Sequence, residues 1–506
     1  MAHYKRRQPE KTVLYQVVGG HLETLLAEAN ERYDYGYPAH IEKTYRGYLS
    51  CGLLQYGFAR VRCSACGKEN LVAFSCKMRG ICPSCEGRRM ADVAAHLVDR
   101  VLPVASYRQW TLSVAYEYRL AMAADQRVLS DVLRRFIAEV FNWKRRQARK
   151  AGIDCPTPAA ITLTQRFGSA LNLHPHFHTL IPDGVFTCET PGVAKWMPLP
   201  GPSAQDIEHI ATRVAIRVHR CFEERRDFAD FAGDTDAAER DAQTLADTVH
   251  RPGLAPRPTG LAPPKRDDAA IVDGFSLHVG RAIAPADRAG LERLLRYGAR
   301  PAFAQSRLSF TASGKVSYKL KRPWFNGQTH VTLPPVEFLR RLTALIPPPR
   351  THLTRFHGAF APAAKLRPAI TALVPAPADA ITEADPELST AVDTDVQDNN
   401  GQAADFDVAA MVNRIGSVAR DDDDTADNLA AKRKRYSWAK LLARVFDIDV
   451  SRCADPSCRG PTKIIAWITQ PDVITKFLVH LGIDPHPPAP APARAPPQAE
   501  FDFAYP

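Results

Sequence analysis

The chain has 506 residues, 45% of them hydrophobic, with 66 Lys/Arg against 55 Asp/Glu and a net charge of +11. That length supports several domains and at least one large core, and no apolar run reaches the roughly 18 residues of a membrane-spanning helix. Residues 374–428 hold 14 Asp/Glu against 2 Arg, a local charge of −12, so the rest carries +23 and suits a polyanionic partner, nucleic acid foremost.

Residues 9–50 read as helical, with Val13, Val17, Leu22, Leu25 and Leu26 on an apolar stripe. A cysteine-rich stretch, 51–85, precedes a helix expected from about Arg88 to Pro103. Tyr107 to Val114 reads as a buried strand. A helix over 126–150 turns Val128, Val132, Leu133, Phe136 and Val140 inward and ends in a basic run. Strands at 160–166 and 172–181 flank a turn containing Gly168, and a helix follows near 204–224. Residues 228–270, polar and then Pro-rich, read as an insertion. A strand (275–279), a helix (285–299), a basic hairpin (307–320), a strand (329–333) and a helix (335–346) follow.

These elements divide the chain into a helical, cysteine-rich domain (1–104), a central α+β domain (105–350) and a short extension (351–373). Residues 374–431 have the composition of a disordered acidic linker. A basic module (432–485) opens on Lys432-Arg433-Lys434-Arg435, and the Pro/Ala-rich end (486–506) reads as a disordered tail. The basic N-terminus MAHYKRRQPEK has no leader pattern, so a cytoplasmic protein is expected.

Six of eleven cysteines fall between Cys51 and Cys85. Such clustering points to metal rather than disulfides. Cys63-Ser64-Ala65-Cys66 and Cys82-Pro83-Ser84-Cys85 form two knuckles, and four thiolates converging at about 2.3 Å make a structural Zn²⁺ site. Cys76 reads as a spare ligand or a packed thiol. Arg79, Arg88 and Arg89 beside the knuckles suit phosphate contact.

Leu173-His174-Pro175-His176-Phe177-His178-Thr179-Leu180 places histidines at alternate positions of an apolar strand, so they share one face. His176 and His178 fit two ligands of one catalytic divalent ion, Mg²⁺ or Mn²⁺. Gln165 on the preceding strand and His174 compete for a third position, with Gln165 preferred. A nucleophile is expected further on, on a rigid element. Tyr297 ends a helix stopped by Gly298 and Pro301, and lies about 110° from the centre of its apolar face, towards Arg293 and Arg300. Guanidinium groups there would meet a phosphate and favour a deprotonated phenol. Tyr318 is the competing nucleophile. The same histidine run approximates a histidine-triad nucleotide hydrolase, which would leave the knuckles and basic charge without a role.

With these residues in view, the chain resembles the rolling-circle HUH transposases of the insertion-sequence ninety-one family, and within it the common-region (ISCR-like) single-tyrosine branch. The matching blocks include Gly57-Phe58-Ala59-Arg60-Val61-Arg62-Cys63, Cys82-Pro83-Ser84-Cys85, Arg108-Gln109-Trp110, Gln165-Arg166-Phe167-Gly168, His176-Phe177-His178, Arg296-Tyr297 and Phe356-His357-Gly358. The resemblance implies a zinc-binding domain followed by an HUH endonuclease domain, an antiparallel sheet with flanking helices. It gives His176 and His178 the divalent-metal role and Tyr297 the nucleophile role, with a 5′-phosphotyrosine intermediate. Single-stranded element ends are the implied substrate, in a bacterial, nucleoid-associated protein able to act as a homo-oligomer. Arg293 stands four residues before Tyr297, where two-tyrosine members carry a second tyrosine. Cys453 and Cys458 depart from CxxC, and His480 is a candidate helper there. A plasmid replication initiator or relaxase would share this chemistry, and a zinc-dependent DNA-binding regulator would share the metal without cleavage.

Overall fold

A computed structural model describes residues 2–3, 7–33, 35–190, 193–229, 266–324, 326–375, 438–446 and 448–494. Most of the expected insertion and acidic linker, the Lys432–Arg435 run and the last twelve residues lie outside the described residues. Two short end strands, β1 (Ala2–His3) and β15 (Ile448–Asp449), pair in parallel.

The first unit is built from α1 (Val13–Arg32), α2 (Ala39–Leu49), the antiparallel strands β2 (Phe58–Cys63) and β3 (Glu69–Ala73), and α3 (Pro83–Arg100). Thr12 Oγ1 caps α1 by accepting from Tyr15 N–H. The helix α3 starts at Pro83, five residues before the expected start at Arg88. Pro83 sits in its first turn, where a missing N–H costs nothing. β16 (Thr462–Ile468) pairs with β2, so the C-terminal module is part of this unit rather than separate from it. The tail also departs from expectation over 486–494. Ala491 N–H donates to Gly19 O at 2.8 Å, and Arg494 N–H to Thr24 Oγ1 at 3.0 Å. A Pro-rich segment has few donors to satisfy, and α1 supplies their acceptors.

The central unit is a six-stranded sheet in the order β14-β5-β6-β4-β10-β9, with every neighbouring pair antiparallel. The strands are β4 (Tyr107–Ser113), β5 (Ala159–Phe167), β6 (Leu173–Pro182), β9 (Ala269–Val272), β10 (Phe275–Val279) and β14 (Thr354–Gly358). β14 lies in the expected extension, which therefore belongs to the central sheet. α4 (Arg119–Ala124) leads into α5 (Gln126–Lys150). α5 and α6 (Ala204–Ala229) cover one face, where Trp110, Leu112, Phe136, Val140, Phe177 and Val214 pack together. On the other face, α3, α7 (Arg288–Gly298) and α9 (Arg367–Ala372) meet Tyr107, Ile161, Leu163 and Leu180.

Strand alternation assigns the two faces. Phe177 belongs to the α5/α6 side, so its neighbours His176 and His178 share the α7 side with Leu180. Phe177 is fully buried. Phe177→Ala is expected to cost about 3–5 kcal/mol, read as a shift in the denaturation midpoint. A change below about 1 kcal/mol would contradict its place in the packed core.

A hairpin, β7 (Gly184–Thr190) and β8 (Val193–Pro198), follows β6. A three-stranded sheet, β11 (Leu308–Phe310), β12 (Val316–Lys319) and β13 (His330–Leu333), leads into α8 (Pro335–Leu345). Phe338 and Leu339 of α8 share a core with Leu14, Val18 and Tyr45 of the first unit. α10 (Trp438–Phe446) and α11 (Pro471–His480) complete the described helices. None of these is long and apolar enough to cross a membrane.

Candidate active site and metal centres

His176 and His178 project from β6 with their Nε2 atoms 3.1 Å apart. Register sets Gln165 of β5 opposite His176, and Thr111 of β4 opposite His178. His176 Nδ1–H donates to His174 O at 2.7 Å, which leaves its Nε2 lone pair free. His178 Nδ1 lies 2.9 Å from the Gln109 amide and 3.3 Å from Thr111 Oγ1. Metal–nitrogen bonds of about 2.0–2.1 Å put neighbouring ligand nitrogens about 3 Å apart, so this pair fits one ion.

Gln165 has two roles open to it. Its Nε2 donates to Tyr297 O at 2.9 Å and Gly298 O at 2.7 Å, capping the end of α7. Its Oε1 is buried without a hydrogen-bond partner among the described residues. A hard oxygen of that kind beside two imidazoles fits a divalent ion. His174 stacks on His176, ring centroids 4.9 Å apart, and its Nε2 is likewise buried and unpartnered.

Burial pushes the imidazoles of His176 and His178 down to about 4 and about 3, with Arg300 acting in the same direction on both. Burial also holds His357 of β14 at about 4. All three are therefore neutral at pH 7. Each sits below its ordinary 6.5, so the unfolded chain binds more protons than the folded one once pH drops through 6.5. Folding stability is expected to hold above about pH 6.5 and to fall steadily towards pH 4. Urea midpoints at pH 7.5 and pH 5 check this, and equal midpoints would contradict it. His357→Gln should make the decline shallower.

Tyr297 is 41% exposed at the end of α7. Its ring stands edge-on to His178, centroids 5.7 Å apart. The Arg300 guanidinium and Lys321 Nζ each lie 5.0 Å from the ring centre. Arg300 Nε is buried with no hydrogen-bond partner among the described residues. Tyr318 is 4% exposed in the core beneath β12, so it is removed from the nucleophile role by burial. Arg293 points to solvent near Asp287, with 3.9 Å between charged atoms.

Gly298 permits the approach of α7 to the sheet. A Cβ there would come within 2.6 Å of buried Leu163 Cδ1 and 3.6 Å of His178 Cβ. Gly298→Ala is expected to cost about 1–3 kcal/mol and to displace Tyr297 from His178. A melt and a DNA-adduct assay should show a larger loss of adduct than of stability. Wild-type values in both would contradict the close contact.

The cysteines form two groups instead of the single expected site. Cys82 and Cys85 converge with Cys51 and Cys76, while Cys63 and Cys66 converge with Cys453 and Cys458. In the first group Cys51–Cys82 and Cys76–Cys85 sulfurs are 3.5 Å apart, and Cys51–Cys85 3.8 Å. The expected set Cys63, Cys66, Cys82 and Cys85 is therefore corrected, because each knuckle finds its partners elsewhere in the fold. Cys76 joins a cluster rather than serving as packing. Arg79, assigned above to phosphate contact, donates to Thr351 O at 2.9 Å and ties the first unit to the central one. Arg89 pairs with Glu86 at 3.0 Å. The sequence alone gave no role to Gln109 and Thr111, which lie at His178, or to Lys321, which lies at Tyr297. Alternation along β4 puts Gln109 and Thr111 on one face, and that signal could have revealed them.

Residues 159–367 match the transposase family model Y2_Tnp, and residues 21–114 match the transposase zinc-binding domain model Zn_Tnp_IS91. No curated protein and no solved structure matches the chain. The class is thus a transposase in which a domain built on an antiparallel sheet follows a zinc-binding domain. The chain belongs to the transposase family of the insertion-sequence ninety-one type.

Proposed function

We propose that this transposase cuts and rejoins one DNA strand in rolling-circle transposition, through a 5′-phosphotyrosine on Tyr297. The observation that carries this reading is the convergence of His176 Nε2 and His178 Nε2 at 3.1 Å, with the Tyr297 ring 5.7 Å from that of His178. Tyr297 loses its phenol proton and forms a P–O bond as the P–O3′ bond breaks, and the leaving 3′-oxygen takes up a proton. Arg300 and Lys321 hold the phosphate and offset the charge that develops on it. Gln165 fixes the end of α7, so the phenol stays in place through attack. A divalent ion at His176, His178 and Gln165 Oε1 would polarise the scissile phosphate, and Mn²⁺ suits the nitrogen-rich set better than Mg²⁺.

Reversal by a 3′-hydroxyl regenerates Tyr297 and joins the strands. With Arg293 four residues earlier, one copy supplies one nucleophile from this helix, and a second copy would supply another. The +23 charge outside the acidic segment supports a DNA substrate, and single-stranded element ends are the form proposed.

His176→Ala/His178→Ala is expected to lower nicking of a single-stranded end by about 10²–10⁴-fold while leaving DNA binding intact. Retention of full nicking would contradict the metal role. A chain that binds ends and never cuts, under any metal, would favour the DNA-binding regulator.

A further inference from the structure

The zinc-binding family model ends at residue 114 and so contains only half of the second cysteine group. Cys63 closes β2 and Cys66 follows in a turn where Gly67 has φ +74°. Cys453 and Cys458 lie just before β16. Register brings the turns together, because Thr462 pairs with Cys63 and Ser64 N–H donates to Pro461 O at 2.9 Å. The four sulfurs lie within 4.8 Å of one another, with Cys63–Cys458 at 3.7 Å and Cys66–Cys453 at 3.6 Å. Zinc–sulfur bonds of about 2.3 Å give a tetrahedral edge of about 3.8 Å. A disulfide would bring two sulfurs to about 2.05 Å.

The surroundings are shaped for four sulfurs. A Cβ at Gly460 would stand 3.1 Å from Cys63 Sγ and 3.3 Å from Cys458 Sγ, so glycine leaves the space open. Asp455 N–H lies 3.5 Å from Cys453 Sγ, a donor that stabilises a thiolate. Lys68 and Asp455 form an ion pair across the join.

We propose that Cys63, Cys66, Cys453 and Cys458 hold a second Zn²⁺, which fastens the C-terminal module to the N-terminal domain. The donor set joins segments almost 390 residues apart in sequence, a closure that costs chain entropy and that one ion can offset. The fastened module then seats α10. Leu441 is buried against Ala91 and Ala95 of α3. Arg444 bridges Asp99 of α3 and Glu292 of α7, the latter at 2.6 Å, so the ion supports the helix that carries Tyr297.

The test is zinc per chain in the full-length protein and in Cys453→Ser/Cys458→Ser. One ion fewer in the variant is expected, and a separate Cys458→His chain, with Cys453 intact, should keep it; an unchanged count in the double variant overturns the proposal. If the variant aggregates, cobalt replaces zinc in the wild-type chain. Sulfur-to-cobalt charge-transfer absorption worth eight thiolate bonds supports two sites, and absorption worth four overturns the second. Histidine-bound ions do not give these bands, so the outcome is independent of the nicking chemistry.

Discussion

Tyr297→Phe is expected to abolish the covalent protein–DNA adduct and to lower nicking by about 10⁴-fold or more, the scale seen when a covalent nucleophile is deleted. The substitution removes one oxygen from a side chain that is 41% exposed, so folding should be unchanged. The ring would keep its places beside His178, Arg300 and Lys321. End binding is therefore expected to persist while cutting disappears. Persistence of the adduct in this variant would show that another residue attacks. Tyr318 is a poor substitute, because its hydroxyl lies in a packed core and could reach DNA only after local unfolding.

The second large effect is expected at the buried cysteine group. Cys51, Cys82 and Cys85 lie inside the core shared by α1, α2 and α8, with Cys76 packed against it. A structural zinc contributes on the order of 10–16 kcal/mol, comparable to the whole stability of a domain at about 5–15 kcal/mol. Cys82→Ser leaves three thiols without their ion in an apolar surround. The variant, or the wild type stripped by a chelator, is expected to lose the cooperative melt of the first unit. Tyr45 should report it, since its hydroxyl donates to Leu339 O at 2.7 Å in the same core. A melt unchanged by chelation would contradict a structural ion there.

Much of the central domain was legible because its signals are local. α5 spans Gln126–Lys150, as its apolar spacing required, with Asp125 accepting from Arg127 N–H as its cap. The apolar strands flanking Gly168 also fall within a residue of their expected ends. Alternation along β6 was enough to put His176 and His178 on one face. The pairing of Gln165 with His176 followed from two strands joined by a short turn.

What could not be read depends on contacts between distant segments. A CxxC spacing says that two thiols face one ion, but not which other pair completes it. Cys63 and Cys66 found theirs across the chain through β16, whereas Cys82 and Cys85 found Cys51 and Cys76. β14 was missed because its register partner β5 supplies what its five-residue, polar sequence lacks. Arg79 read as a phosphate ligand since basic residues near knuckles suit one. Its guanidinium instead met a carbonyl of the segment before β14. Gln165 was legible as a possible ligand, while its hold on the end of α7 needed the fold.

The most direct measurement is the site of covalent attachment. Full-length protein is incubated with a single-stranded element end and Mn²⁺, digested, and its DNA-bearing peptide sequenced by mass spectrometry. A 5′-phosphonucleotide on Tyr297, dependent on His176 and His178, is the expected result. Attachment at any other residue, or cutting with no attachment, would contradict the proposed chemistry.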